Sequence, residues 1–179
     1  MIGEKVIIAG FGGQGVMLMG QLLSYTATAN ELNTLWFPSY GPETRGGTAN
    51  CSITISETSV NSPVISTPDS IIIMNLPSLD KFQPKLKKDG HLFLNTSLVK
   101  DVVLRKDVNI HKVAANDIAI KLGNLKVANM VMLGAYLEVT KLFGTEEVLN
   151  VLKKKFTGSK AGLIEVNRLA LEEGRKAVL

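Results

Sequence analysis

The hydrophobic pattern of this chain switches between two periods, short apolar runs that suit strands and longer stretches with the 3.6-residue spacing of helices. Lys5 to Ala9 is a largely β-branched run that enters Gly10-Phe11-Gly12-Gly13-Gln14-Gly15. Beyond it Val16, Met19, Leu22, Leu23 and Ala27 recur at helical spacing as far as Asn30, with Gln21, Ser24 and Thr28 largely opposite. Thr34 to Phe37 predicts a second strand, and Pro38 to Gly47, with its two prolines and three glycines, a loop. From Thr48 to Ser56 the residues alternate, Ala49, Cys51, Ile53 and Ile55 on one side and Thr48, Asn50, Ser52, Thr54 and Ser56 on the other. That is a strand with one polar face, unlike the interior of a parallel sheet.

Ser70 to Met74 and Leu92 to Leu94 are continuous apolar strands ended by Asn75 and Asn95. Between them Ser78 to Leu86 predicts a short helix interrupted at Pro84, so the segment reads as a βαβ unit. Val108 to Val113 predicts a last strand and Asn116 to Lys121 a helical turn. Val127 to Phe143 is apolar nearly all round, as a helix buried on several sides is, with Asn129 its polar interruption before Glu138. Glu146 to Phe156 and Lys160 to Arg175 are amphipathic helices separated by Gly158-Ser159. The order predicts an α/β fold: a three-layer α/β/α Rossmann-like domain, its sheet mostly parallel with some antiparallel strand pairing, spanning residues 1–179 as one domain.

Composition narrows the function classes. With 179 residues, 45% hydrophobic and 20% charged, the chain has material for a good-sized core and is neither disordered nor fibrous. A net charge of +4 comes from scattered lysines without interleaved aromatics, which argues against nucleic acid as a partner. Met1 to Lys5 runs straight into the first strand, and Val127 to Val139 is too short for a bilayer, so an intracellular, cytoplasmic protein without membrane attachment is expected. The single cysteine, Cys51, excludes a disulfide framework and cannot hold an iron–sulfur cluster, which takes about four thiolates.

Gly10 to Gly15 carries the candidate chemistry. A strand feeding a glycine-rich turn that opens a helix aims backbone N–H groups and a positive helix end at an anion. Gly10, Gly12 and Gly15 fit G-x-G-x-x-G, with Gly13 and the amide of Gln14 as further contributors, but the acid expected roughly 20 residues on is absent after Phe37. A ribose-chelating carboxylate of the NAD kind is therefore missing. Asn75 and Asn95 end strands on the same edge of the sheet, where ligands of such folds sit, and each reads as a binding residue or as turn chemistry. His91 and His111 lack a further ligand at metal spacing and read as structural, Cys51 as core, and no metal site is expected. No nucleophile–base pair, Walker lysine or thiamine-type Gly-Asp-Gly is present, so the chain holds an anion while another polypeptide carries the reactive chemistry.

Two separated motifs give this pattern a family. Gly10-Phe11-Gly12-Gly13-Gln14-Gly15, followed by Pro38-Ser39-Tyr40-Gly41-Pro42-Glu43-Thr44-Arg45-Gly46-Gly47-Thr48, resembles the gamma subunit of the 2-oxoacid:ferredoxin oxidoreductases, and Asn129 to Ala135 matches its buried helix. The similarity runs over nearly the whole chain. It implies a subunit of an enzyme that decarboxylates a 2-oxoacid on thiamine diphosphate, passes electrons through iron–sulfur clusters to ferredoxin and transfers the acyl group to coenzyme A. In that family thiamine diphosphate belongs to the alpha and beta subunits, and the clusters to beta and often a small delta subunit. The gamma subunit packs on alpha, helps to bind coenzyme A and is not active alone, which implies that Gly12 to Gly15 faces the coenzyme's phosphates.

In the second motif the resemblance leaves Arg45 two roles, an anion clamp in the cleft or an intersubunit ion pair beside Glu43. The stiffening prolines favour the interface, with Tyr40 and Gly46 on the same surface. Met17, Met19 and Gln21 with Asn75 to Phe82 look closest to the 2-oxoglutarate branch, and branched-chain 2-oxoacid, pyruvate and indolepyruvate enzymes are the alternatives. A stand-alone nucleotide-binding oxidoreductase and a scaffold without ligand are the rival classes.

Overall fold

Six strands form one sheet in the order β2-β3-β1-β4-β5-β6 in the computed structural model, which describes residues 3–41 and 47–179. β1 (Gly3–Phe11) is its hinge line. On one side β4 (Ser70–Ile73), β5 (His91–Asn95) and β6 (Asn109–Val113) continue in parallel, and on the other β3 (Thr48–Ser56) is antiparallel to both β1 and β2 (Asn33–Tyr40). The mostly parallel sheet with some antiparallel pairing expected from the pattern is therefore found. So is the parallel β4–β5 pair joined through a short helix, α2 (Leu76–Phe82), and a 3-10 turn at Gln83–Lys85.

Two boundaries differ from the sequence reading for a physical reason. β2 runs on through Pro38 to Tyr40 instead of stopping at Phe37. Proline lacks the N–H that a central strand needs, but β2 is an edge strand, and an edge position tolerates it. The last amphipathic stretch divides into a 3-10 segment, Gly158–Leu163, and a helix, α6 (Ile164–Lys176).

Side-chain alternation sorts the core into two layers. On one face Val6, Ile8, Cys51, Ile53, Ile72 and Phe93 pack with α1 (Val16–Ala29), α4 (Ala128–Thr140), α5 (Thr145–Lys155) and α6. On the other, Ile7, Ala9, Ile71, Ile73, Leu92 and Leu94 meet Leu79 and Phe82 of α2. The polar residues of β3 pair in register with the opposite face of β2, so Ser52 lies beside a half-exposed Phe37. The alternation in β3 thus marks a strand covered by α1 on one side only. Cys51 is buried there with its Sγ 3.6 Å from the Val16 carbonyl, and burial pushes its thiol up to about 12.

α4 is buried continuously from Ala128 to Leu137 because the sheet lies on one side of it and α6 on the other. Two glycines make the second contact close. A Cβ on Gly134 would collide with the Leu171 carbonyl, and one on Gly174 with the Val131 carbonyl. At the amino ends of β1 and β4 the Tyr136 hydroxyl donates to Glu4 Oε1 (3.2 Å), which also accepts from Ser70 Oγ (2.6 Å). Burial raises the Glu4 carboxyl above its ordinary range despite the Ser70 bond.

Gly174→Ala is expected to lower stability by ~1–3 kcal/mol, the usual range for overpacking a close contact. Thermal unfolding would show it as a fall of several degrees, and an unchanged midpoint would mean that α4 and α6 can separate at no cost.

Candidate functional site

The carboxyl end of β1 leads into a turn built almost wholly from backbone. Gln14 N donates to the Phe11 carbonyl (3.2 Å), Gln14 Oε1 accepts from Phe11 N (2.7 Å), and Gly12 N reaches Gly47 O (3.0 Å). The Gln14 side chain is therefore a strut that closes the turn through its oxygen, which leaves its NH2 end over. The N–H groups of Gly13, Gly15 and Val16 have no acceptor among the described residues. They stand at the positive end of α1, whose first turn holds no acid and no side-chain cap. Of the residues read as a phosphate cradle, Gly13 and Gly15 present free N–H groups at the carboxyl end of β1, whereas the N–H of Gly12 is taken by the Gly47 carbonyl and that of Gln14 by the Phe11 carbonyl.

The glycines do different jobs. Gly13 has φ +94° with open space where a Cβ would stand, so only its conformation demands glycine. Gly15 is also left-handed (φ +75°), but a Cβ there would collide with the Asn129 amide. At Gly10 a Cβ would lie 2.6 Å from Gln14 Oε1 and 2.8 Å from the Met74 Cβ. Packing alone therefore demands glycine at Gly10 and adds to the demand of the backbone at Gly15, whose N–H stays free for an anion. Asn129, read as an interruption in a buried helix, donates from Nδ2 to the Gly15 carbonyl (3.3 Å) and ties the two motifs together.

A cleft of about 540 Å³ opens beside the turn, lined by Gly13, Gln14 and Met74 and, across from them, by Asn116, Asn124, Leu125, Lys126 and Ala128. Its far wall is the connection between α3 (Ala115–Lys121) and α4. Asn95 fixes that wall: its Oδ1 accepts from Ala115 N (3.2 Å) and its Nδ2 donates to Asn116 Oδ1 (2.9 Å). Asn75 caps α2, accepting from Ser78 N (3.0 Å), and its buried Nδ2 has no partner among the described residues. For Asn95 and for the Asn75 oxygen, turn chemistry is the reading that holds. Asn116 and Lys126 were missed because an asparagine at a helix start and a lysine in a loop carry no sequence signal of a cleft.

The other candidates lie elsewhere. Tyr40 ends β2 and is 69% exposed. Glu43, Arg45 and Gly46 lie outside the described residues. His91 and His111, read as separate structural residues, meet across β5 and β6, Nδ1 to Nε2 at 3.0 Å, with His111 stacked on Phe93. Burial lowers both pKa values, and His91 lowers that of His111 further. No group of three or more potential metal ligands occurs among the described residues, and no helix among them is long and apolar enough to cross a membrane.

Fold and turn together define an α/β protein whose glycine loop opens on a donor-lined cleft. The chain belongs to the pyruvate ferredoxin/flavodoxin oxidoreductase family, whose pattern matches residues 5–177. It is 40% identical over 172 residues to the ketoisovalerate oxidoreductase subunit VorA of Methanothermobacter thermautotrophicus, covering 95% of this chain and 35% of that one. The chain therefore spans about a third of the length of the VorA relatives it matches. It is 31% identical to the 2-oxoglutarate synthase subunit KorC of Methanothermobacter marburgensis, covering 98% of this chain and 97% of that one. A solved 2-oxoglutarate:ferredoxin oxidoreductase from Magnetococcus marinus, with 2-oxoglutarate, coenzyme A and succinyl-CoA bound, shares the fold. The TM-score is 0.89 at 20% identity, over 99% of this chain and 31% of that one.

The histidine pair predicts an acid-sensitive fold. Unfolded histidines take a proton near 6.5, whereas the folded ones resist it. Stability is then full above that pH and falls as pH drops through it towards the lowered folded values. Denaturant unfolding of wild type and His111→Gln across this range would show a shallower loss in the variant, and parallel curves would refute the assignment. Glu4, with its raised pKa, acts in the opposite sense nearer the carboxylate range and is common to both proteins.

Proposed function

We propose that this chain is the gamma-type subunit of a 2-oxoacid:ferredoxin oxidoreductase and that its glycine turn holds the phosphates of coenzyme A. The observation that carries the reading is the turn itself, where the Gly13, Gly15 and Val16 N–H groups stand without an acceptor among the described residues at a helix start whose first turn holds no acid. Preorganised donors of this kind bind phosphate without an ordering cost. The bound coenzyme A of the Magnetococcus neighbour supports the choice of anion. Asn75, which caps α2 next to Met74 and whose buried Nδ2 has no partner among the described residues, supports the cleft from behind.

The reacting groups belong to other subunits. This chain has one cysteine, buried and held protonated, too few for an iron–sulfur cluster, and no thiamine-type Gly-Asp-Gly, so the clusters and thiamine diphosphate are assigned to the alpha, beta and, where present, delta subunits, with ferredoxin meeting the assembly there. Relative lengths support the partnership. VorA and the Magnetococcus chain carry this unit within polypeptides about three times as long, whereas KorC has it alone. In this reading residues 1–179 work as one unit of a cytoplasmic enzyme, packed on an alpha subunit and inactive without it. The higher identity lies with a ketoisovalerate relative, so the substrate is stated as a 2-oxoacid, with 2-oxoglutarate, ketoisovalerate and pyruvate the members its relatives act on.

Calorimetry of coenzyme A binding to the isolated chain and to the reassembled enzyme tests the reading, and binding to neither would leave a scaffold alone. Gly13→Val forces a side chain into a left-handed position and should raise the KM for coenzyme A about tenfold or more, on the scale of one or two lost charge-assisted hydrogen bonds. CoA-independent decarboxylation should fall far less. An equal loss in both half-reactions would move Gly13 out of a coenzyme site.

Arg45 with Glu43, Tyr40 and Gly46 forms the docking edge in this reading. Arg45→Ala should weaken assembly, seen as dissociation at lower protein concentration in sedimentation. An intact but inactive complex would place Arg45 in the cleft.

A further inference from the structure

The amides that line the cleft all point the same way chemically, and hydrogen bonds fix their orientation. Gln14 Oε1 accepts from Phe11 N, and Asn124 Oδ1 accepts from Lys126 N (3.0 Å), so in each the oxygen is committed to the protein backbone. Asn116 is fixed at one remove: Asn95 Oδ1 takes the Ala115 N–H, so Asn95 Nδ2 must donate, and the atom it meets on Asn116 must be oxygen. In all three the NH2 end is left, and none of these NH2 groups has an acceptor among the described residues. Among the described residues Lys126 adds a cation without an acidic partner, and none of those that line the cleft is an acid.

We infer that Lys126, Asn116 and Asn124 form the second wall of a donor-rich cleft that grips the diphosphate of coenzyme A against the Gly13–Gln14 turn. This rests on the proposed gamma-subunit reading and adds to it the residues that select the ligand. A lining whose side-chain amide oxygens are taken up by the fold turns its NH2 groups to the ligand and favours an anion over a cation. A ligand with several acceptor oxygens satisfies more of its donors than any neutral group can. Met74 and Leu125 supply an apolar flank for the uncharged part of the molecule next to the diphosphate, for which a space of about 540 Å³ leaves room. Asn95, whose Nδ2 meets Asn116 Oδ1 and, at 3.5 Å, the Met74 carbonyl, is a positioning residue that sets the polarity of this wall.

The orientation permits a test that spares the fold. Asn116→Asp keeps the oxygen that Asn95 needs and exchanges the NH2 donor for a negative oxygen, and Lys126→Ala removes the cation. In the reassembled enzyme each should weaken coenzyme A binding by calorimetry about tenfold or more, the scale of a charge-assisted hydrogen bond. Each should also weaken inorganic pyrophosphate as a competitor, while the unfolding midpoint stays near wild type and Lys126→Arg recovers much of the affinity. Wild-type affinity in both variants, with Gly13→Val still impaired, would overturn the second wall and leave the glycine cradle standing. Wild-type affinity in all three would remove both. A loss seen with coenzyme A but not with dephospho-CoA would place Lys126 on the 3′-phosphate and overturn the diphosphate assignment.

Discussion

A single contact between residues 114 apart in sequence, the Asn129 amide against the Gly15 carbonyl, holds the start of α1 to the start of α4. α4 is the most enclosed element of the fold, clasped by the sheet and by α6, so what it touches is fixed. Through Asn129 that rigidity passes to the glycine turn, whose own hydrogen bonds are few and mostly local. A turn built of glycines loses much conformational entropy on folding, and a buried anchor offsets that loss before any ligand arrives.

Much of the fold was legible because burial writes itself into periodicity. The apolar runs of β4 and β5 have helices or loops over both faces, while the alternation of β3 records a strand with α1 on one side only. Legibility failed where neighbours decide. Pro38 looks like a terminator, but at an edge position its missing N–H costs little, and β2 continues to Tyr40. The continuous apolarity of α4 announced burial without saying that α6 would supply the second side, since the glycine notches that admit it lie 40 residues apart, at 134 and 174.

The site divides in the same way. The turn's existence could be read from its glycines, but their separate reasons could not, because Gly10 answers to Met74 and Gly15 to Asn129, both distant in the chain. Histidines counted as isolated in sequence became neighbours when β5 and β6 paired in register. Lys126 has the look of a solvated loop cation, and only the folding of the α3–α4 connection beside Met74 places it over a cleft.

Cys51 gives the chain a built-in clock. Alkylating reagents attack the thiolate, and a buried sulfur pushed up to about 12 offers almost none of it while β3 stays in place. Its sulfur sits against the first residue of α1, so any labelling must follow a parting of strand from helix next to the glycine turn. The rate at which the native protein takes up such a reagent therefore counts openings at that junction, with no label or substitution introduced to see them.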